Sequence, residues 1–233
     1  MSHPIVRYAA LLLIACSFVS WADDGRAQRE QQEVMSSKAF LDAHPDLKYR
    51  TEGFILLDEG RAYDARMSFL KSASFADKAS QAVLAELAWK GVGQPRDRVL
   101  GYVWADIAAE RGYPQLVALR EMYWEKLTQD ERDRAVEIGQ PMMDEYGDSA
   151  AKKRMALHLR KARRSMLTGR ARKDVTVVIP GPQGQQVFIR GHNFYATEYW
   201  EPERYQRWVD ETWRESSSGS VEVGTLEQVP EQK

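Results

Sequence analysis

The chain of 233 residues has almost no cysteine: its one cysteine, Cys16, lies in the apolar N-terminal segment. If that segment is removed on export, the mature protein has no thiol. That would exclude disulfide bonds, cysteine catalysis and thiolate-based zinc sites.

Histidine is also scarce, and no catalytic motif is visible. His3, His44, His158 and His192 are scattered, without the spacing of a metal-binding pair. There is no nucleophile-elbow motif, and nothing marks two carboxylates as a buried acid–base pair. We therefore predict no enzyme, no cofactor and no metal, and we expect His192 to be a turn residue.

Charge of one sign is not in excess. The 33 Lys and Arg residues nearly balance the 34 Asp and Glu residues, so the formal net charge is −1. A chain with this balance is not built to attract nucleic acid as a whole, and no nucleic-acid partner is predicted.

No apolar run reaches the roughly 20 residues of a membrane-spanning helix. The short apolar run from Tyr8 to Val19 follows Arg7 and precedes a small-x-small site ending at Ala22. This pattern is typical of an export signal, residues 1–22, and predicts a periplasmic protein. Leu13–Cys16 also resembles a bacterial lipobox, in which case Cys16 would be lipidated and the protein would be an outer-membrane lipoprotein. We favour simple cleavage.

The middle of the chain has helical apolar spacing throughout and no segment that alternates with period two. After a polar, loosely ordered segment at 23–36, glycine, proline or capping residues separate helix-length stretches. Asp97 is a plausible N-cap, Thr128 with Glu131 forms a capping box, and Pro141 should kink or split its helix. The predicted helices cover 47–59, 63–76, 78–90, 97–111, 114–127 and 128–146, preceded by a short turn at 38–44.

Residues 91–112 have the pattern of a repeat unit. Trp104 in this stretch and Phe69 in the preceding helix pair occupy equivalent positions 35 residues apart. The stretch resembles the Sel-one-like repeat, a relative of the tetratricopeptide repeat, with Gly101 in place of the usual alanine. The matching residues are Gly91, Gly93, Asp97, Trp104, Ala108, Ala109 and Gly112. We interpret these residues as architecture. The resemblance implies a mainly α fold, a short right-handed α-solenoid of antiparallel helix pairs.

A strongly basic segment follows the predicted repeats. Residues 152–173 contain ten Lys or Arg and no Asp or Glu, and Met155, Leu159, Ala162 and Met166 form an apolar stripe. This predicts an amphipathic helix at about 150–167. Internal pairing with the acidic helices of 121–148 is the favoured interpretation, and contact with an anionic surface is the alternative. The candidate contact residues are Lys152, Lys153, Arg154, Arg160, Lys161, Arg163 and Arg164.

From Asp174 onward, apolar and polar residues alternate with period two instead of the helical period. Two alternating runs around Gly181–Gly184 predict a β-hairpin, and an aromatic helix follows from about Pro202. We expect this module, 174–214, to cap the solenoid by packing on 114–146 and on the basic helix. Its aromatic residues are interpreted as core, with a sugar platform as the alternative, and residues 215–233 as a disordered tail.

The resemblance implies an adaptor, because Sel-one-like repeat proteins act as adaptors. The predicted function is a non-enzymatic periplasmic interaction scaffold that offers a helical-repeat groove to a protein or peptide. The alternative is an envelope-surface binder, contacting anionic lipid, lipopolysaccharide or glycan through the basic helix or the aromatic cluster.

Overall fold

The computed structural model describes residues 24–167, 176–180 and 186–218. The predicted export signal and Cys16 lie outside these residues, as does most of the predicted tail. The described elements in chain order are α1 (Asp24–Ser36), α2 (Lys38–Ala43), α3 (Pro45–Asp58), α4 (Ala62–Ala73), α5 (Lys78–Lys90), α6 (Arg98–Ala109), α7 (Pro114–Lys126), α8 (Gln129–Tyr146), α9 (Asp148–Leu167), β1 (Thr176–Pro180), β2 (Gln186–Arg190), α10 (Gly191–Phe194), α11 (Thr197–Trp200) and α12 (Pro202–Ser218).

The predicted fold class is confirmed: the described chain is mainly helical, with helices packed in pairs and one small β-hairpin. Helices α3 and α4 pack closely on each other, as do α5 and α6, and α4 packs on α5. The main core lies among these helices and α7 and α8. Small residues let the helices approach, since Ala65, Ala73 and Ala105 are fully buried beside Phe69 and Trp104. The predicted helix boundaries agree with the structure to within three residues.

The third helix pair departs from the expected layout. Both α7 and α8 pack on α6, whereas their contacts with each other are few. Helix α7 reaches α5 through Tyr123, whose ring stacks on Trp89 with centroids 3.9 Å apart. Helix α8 has only Ala135 fully buried along its length. This pair therefore covers α6 from two sides and does not repeat the tight hairpins before it.

Three expectations about order and breaks are corrected. Residues 24–36, in the segment expected to be loosely ordered, form helix α1. The side chain of Val34 in this helix is buried against the C-terminal module. Pro141 does not split α8, which runs unbroken to Tyr146; Pro141 and Glu137 are exposed, so the backbone carbonyl that loses its partner is on the solvent side. Residues 215–218, placed in the tail, continue α12.

The C-terminal module is a hairpin followed by three helices, and it docks on more of the protein than expected. The antiparallel strands pair Val177 with Ile189. Ile189 is buried in a cluster with residues of α1, α2, α3, α10 and α11. The module thus also packs on the N-terminal helices, which the sequence did not predict, while Trp213 of α12 reaches Leu116 of α7 within the expected range. Helix α12 does pack on α9, as expected, through Tyr205 against Met155 and Leu159.

Candidate functional site

The glycine loop that carries the family resemblance is a tight turn against the neighbouring helix. Gly91 and Gly93 have positive φ values of 74° and 69°. A Cβ on Gly93 would lie 2.5 Å from the carbonyl oxygen of Ala62, at the start of α4. Asp97 then caps α6 by accepting a 2.9 Å hydrogen bond from the amide of Leu100. The backbone of α4 occupies the space that a phosphate would need beside Gly93.

The other residues of the motif lie in helix packing. Trp104 is 3% exposed and meets Tyr146 of α8 edge-on. Ala108 and Ala109 are buried in a cluster that includes Tyr113, and Gly112 has φ 70° just after α6. These contacts agree with an architectural role, which stays a prediction until it is tested by substitution.

A buried ionic network joins α5, the end of α6 and the start of α9. The Lys78 ammonium is fully buried and donates to the Ile107 carbonyl and to Glu110, both at 2.9 Å. Asp148 lies 3.1 Å from the same ammonium and accepts two hydrogen bonds from Arg111. Burial lowers the pKa of Lys78, although the Asp148 charge opposes this shift. Such a network holds the second helix pair to α9.

A second buried polar group links α3 to α12. The Tyr205 hydroxyl donates to Oδ2 of Asp46 at 2.5 Å, and both side chains are buried. Burial raises the pKa of Asp46 to about 7. Arg50 donates to Asp77 at 2.8 Å, and Asp77 also caps α5. Within the described chain, Oδ1 of Asp46 is buried without a hydrogen-bond partner.

His44 occupies an aromatic enclosure at the same junction. Its ring stacks on Phe40 at 3.9 Å, and Trp200 and Tyr205 lie beside it. Each ring nitrogen is 2.8 Å from a backbone carbonyl oxygen, of Phe40 or of Tyr199. Burial lowers the pKa of His44 to about 4, so at neutral pH the ring is neutral and donates to one of these carbonyls. The histidine therefore ties α2 to α11 and is not an exposed base.

Sequence reasoning missed both buried clusters. The residues that bond across them are 27 to 159 positions apart, and no spacing pattern connects such positions. Asp46 follows Pro45 and looks like an ordinary first-turn helix residue. The one available signal was the position of Arg111 and Asp148 directly beside glycines that end helices.

The basic helix α9 is partly neutralised inside the protein. Lys152 pairs with Asp148, Arg160 faces Glu203 at 3.6 Å, and Arg163 faces Glu201 at 3.5 Å. Two of these three carboxylates belong to the C-terminal module and not to the acidic helices that the sequence favoured.

Arg154 serves the backbone instead: it donates to the carbonyl oxygens of Ser74 and Glu145. Lys153, Lys161 and Arg164 remain exposed, with no ion pair to any residue of the described ranges. Lys153, Leu157 and Lys161 are spaced at i, i+4 and i+8 and so share one helix face. Leu157 is 65% exposed between the two lysines.

An open cleft of about 600 Å³ lies between α1 and the C-terminal module. Its aromatic lining is Tyr199 and Trp208, whose rings meet edge-on at 5.4 Å. Its polar lining is Glu30, Gln31, Arg190, His192, Asn193 and Glu198. His192, expected as a turn residue, lies in α10 and is exposed at this cleft. The cleft brings together residues that are more than 150 positions apart.

The described residues form neither a metal-binding cluster nor a membrane-spanning helix. No group of three or more His, Cys, Asp or Glu side chains among them is placed to hold a metal ion. None of the helices described is both long and apolar enough to cross a membrane.

No protein-family model matches the chain, and neither does any curated protein. Among solved structures, the chain is similar to a protective antigen of uropathogenic Escherichia coli that displays an SLR fold. The sequences are 22% identical, the TM-score is 0.42, and the match covers 55% of this chain. It spans only 26% of the length of the antigen.

Proposed function

We propose that the protein is a non-enzymatic scaffold of the Sel-one-like repeat type, which binds a protein or peptide partner in the periplasm. The observation that carries this proposal is apolar exposure on the first helix pair. Four large apolar side chains are exposed on α3 and α4, each by 38% or more of its surface: Phe54, Ile55, Tyr63 and Met67. Exposed apolar side chains concentrated on one helix pair of a repeat protein are typical of an interaction surface.

The two helices can carry these side chains because they are anchored elsewhere. Gly53 lies against the ring of Phe69, which is fully buried, and Leu56 is buried in the main core. The Ser72 hydroxyl donates to the carbonyl of Asp46 at 2.6 Å, which fixes α4 to α3. Ile55, Tyr63 and Met67 are therefore not needed to hold the helix pair together, whereas Phe54 also meets the Phe69 ring edge-on at 5.1 Å.

Site-specific photo-crosslinking tests this proposal in cells that produce the protein. A photoreactive residue in place of Ile55 should give a discrete adduct of defined mass. The same residue in place of Val136, which is 71% exposed on α8, is the matched control and should give none. Tyr63→Gln combined with Ile55→Gln should abolish the adducts formed from Met67 without lowering the melting temperature. Equal crosslinking from Val136 and Ile55 would contradict the proposal.

The location is part of the proposal and rests on the N-terminal sequence. Mass spectrometry of the mature protein should find Asp23 at its N-terminus. A diacylglyceryl group on Cys16 would establish an outer-membrane lipoprotein instead, and an intact Met1 would contradict export.

A second function, binding to an anionic envelope surface, is favoured by the outward face of α9. Three exposed cations, Lys153, Lys161 and Arg164, accompany the exposed Leu157 on this helix. Cations flanking an apolar side chain suit the interface of an anionic membrane. Cosedimentation with phosphatidylglycerol vesicles should fall steeply as salt rises. Lys153→Gln with Lys161→Gln should abolish it, whereas Lys126→Gln with Lys90→Gln should not.

A further inference from the structure

We propose that the cleft between α1 and the C-terminal module binds a neutral saccharide. This inference develops the glycan alternative that the sequence raised, and it does not depend on the scaffold surface of α3 and α4. The cleft volume of about 600 Å³ falls within the range of small-ligand sites, roughly 300–1,000 Å³.

The aromatic lining suits the apolar faces of a sugar ring. Trp208 is half-buried, so part of its indole is open to the cleft, and Tyr199 meets it edge-on. The pair is held from behind, because Trp208 also packs against Tyr205 and Tyr199 meets the buried ring of Phe40 edge-on at 5.4 Å. A rigid aromatic surface with polar groups around it binds amphipathic ligands at low entropic cost.

The polar lining favours hydroxyl groups over a charged ligand. The Glu30 carboxylate accepts a hydrogen bond from the Asn193 amide and faces the Arg190 guanidinium at 3.8 Å. These charges largely compensate each other. Glu198 is exposed and has no ion pair with any residue of the described chain. A carboxylate in this position can accept hydrogen bonds from two hydroxyl groups, such as those of a vicinal diol.

Other ligand classes fit this arrangement less well. A phosphate or nucleotide needs an excess of cations, and among the described residues that line the cleft Arg190 is the single Lys or Arg. A free amino acid or chain terminus needs an unpaired cation for its carboxylate, whereas Arg190 already faces Glu30. A cationic amine could form an ion pair with Glu198, and the experiment therefore includes a cationic probe.

The test uses the full mature chain and three trisaccharide probes: maltotriose, N-acetylchitotriose and its deacetylated, cationic form. Saturation-transfer NMR with irradiation of the aromatic protons reports contact with the ring surface, and calorimetric titration gives the affinity. We expect at least one neutral trisaccharide to bind with a dissociation constant below about 1 mM. Glu198→Gln should weaken it by about tenfold. Glu211→Gln, an exposed glutamate of α12 outside the cleft, is the matched control and should leave it unchanged.

Trp208→Phe adds an independent readout, because it keeps an apolar ring in the core but shortens the surface open to the cleft. It should reduce saturation transfer while the protein stays folded by circular dichroism. Three results would overturn the saccharide assignment: no binding of either neutral probe at about 10 mM, binding indifferent to Glu198→Gln, or binding of the cationic probe alone. None of these results would alter the crosslinking from Ile55, so the scaffold proposal is judged separately.

Discussion

Asp46 and Tyr205 are 159 residues apart in the chain, and their buried side chains share a 2.5 Å hydrogen bond. Through this bond, helix α12 is fixed to the start of α3. Farther along the same helix, Asp210 accepts hydrogen bonds from Tyr113 and Arg111, and Trp213 stacks on Tyr113 at 5.0 Å. Helix α12 thus connects the first helix pair to the junction of α6 and α7, and it acts as a brace across the repeats.

Removal of the Tyr205 hydroxyl should destabilise the protein. Tyr205→Phe leaves Oδ2 of Asp46 buried without its donor, while Oδ1 already lacks a partner in the described chain. A buried acceptor left unpaired costs about 1–3 kcal/mol. Urea unfolding measures the change. Tyr63→Phe, at a tyrosine that is 61% exposed, should be nearly neutral, and equal losses for the two variants would contradict a structural role for this bond.

The pKa of Asp46 predicts a pH dependence of stability. Burial raises this pKa from 3.8 to about 7, so the folded state holds the proton more tightly than the unfolded state. The free energy of unfolding should then fall as pH rises from about 4 to about 7 and level off above. Asp46→Asn cannot lose a proton there. Relative to the wild type, its stability should therefore increase across this window, by an amount on the order of 4 kcal/mol.

The comparison with Asp46→Asn also cancels the opposite effect of His44. The lowered pKa of His44 makes stability fall as pH drops from about 6.5 towards about 4, and this happens in both proteins. Thermal melts at half-unit pH steps give the difference curve. A flat difference between pH 4 and 8 would show that Asp46 is ionised in the fold.

The loop glycines provide a matched pair of substitutions. Gly60 and Gly93 both have φ near +70°, but a Cβ at Gly60 meets nothing within 4 Å, whereas at Gly93 it meets the Ala62 carbonyl at 2.5 Å. Gly60→Ala should therefore lower the free energy of unfolding only by the strain of the left-handed backbone conformation, about 1–2 kcal/mol. Gly93→Ala should cost clearly more, because the loop must also move away from α4. Equal melting temperatures would show that the loop is not held against α4.

Trp104→Ala should destabilise by about 3–5 kcal/mol if the residue is purely structural. Its side chain is 3% exposed, so the substitution leaves a cavity between α6 and α8. Chemical denaturation measures the loss, and partner crosslinking from Ile55 should persist in the folded fraction. Unchanged stability together with lost crosslinking would make Trp104 a contact residue.

Truncation after Gly169 tests the brace. The shortened chain loses Trp200, Tyr205 and Trp213, and each buried aromatic contributes about 2–3 kcal/mol before entropy costs. The melting temperature of the helical part should fall, and the exposed faces of α1–α3 and α9 should promote aggregation. Truncation after Ser218 is the control and should have little effect. An unchanged melt after the longer deletion would mean that the repeats do not need the module.

Local structure was determined by the sequence alone. The boundaries of α3–α9, the hairpin, the capping box at Thr128 and the glycine turn before Asp97 all follow from short-range rules, since spacing, capping and positive φ involve residues a few positions apart. The same reasoning located the basic helix and the aromatic segments. It did not indicate what either would contact.

Tertiary structure alone decided the long-range arrangement. Helix α1 is ordered because Val34 meets the C-terminal module, α7 and α8 separate because each packs on α6, and α9 pairs with Glu201 and Glu203 of the C-terminal module. Lys78, Asp46 and His44 are buried only because partners far along the chain receive them, and the cleft exists only where α1 meets α10–α12. Apolar burial has no direction along the sequence, so the pattern of one segment does not show which distant surface will cover it.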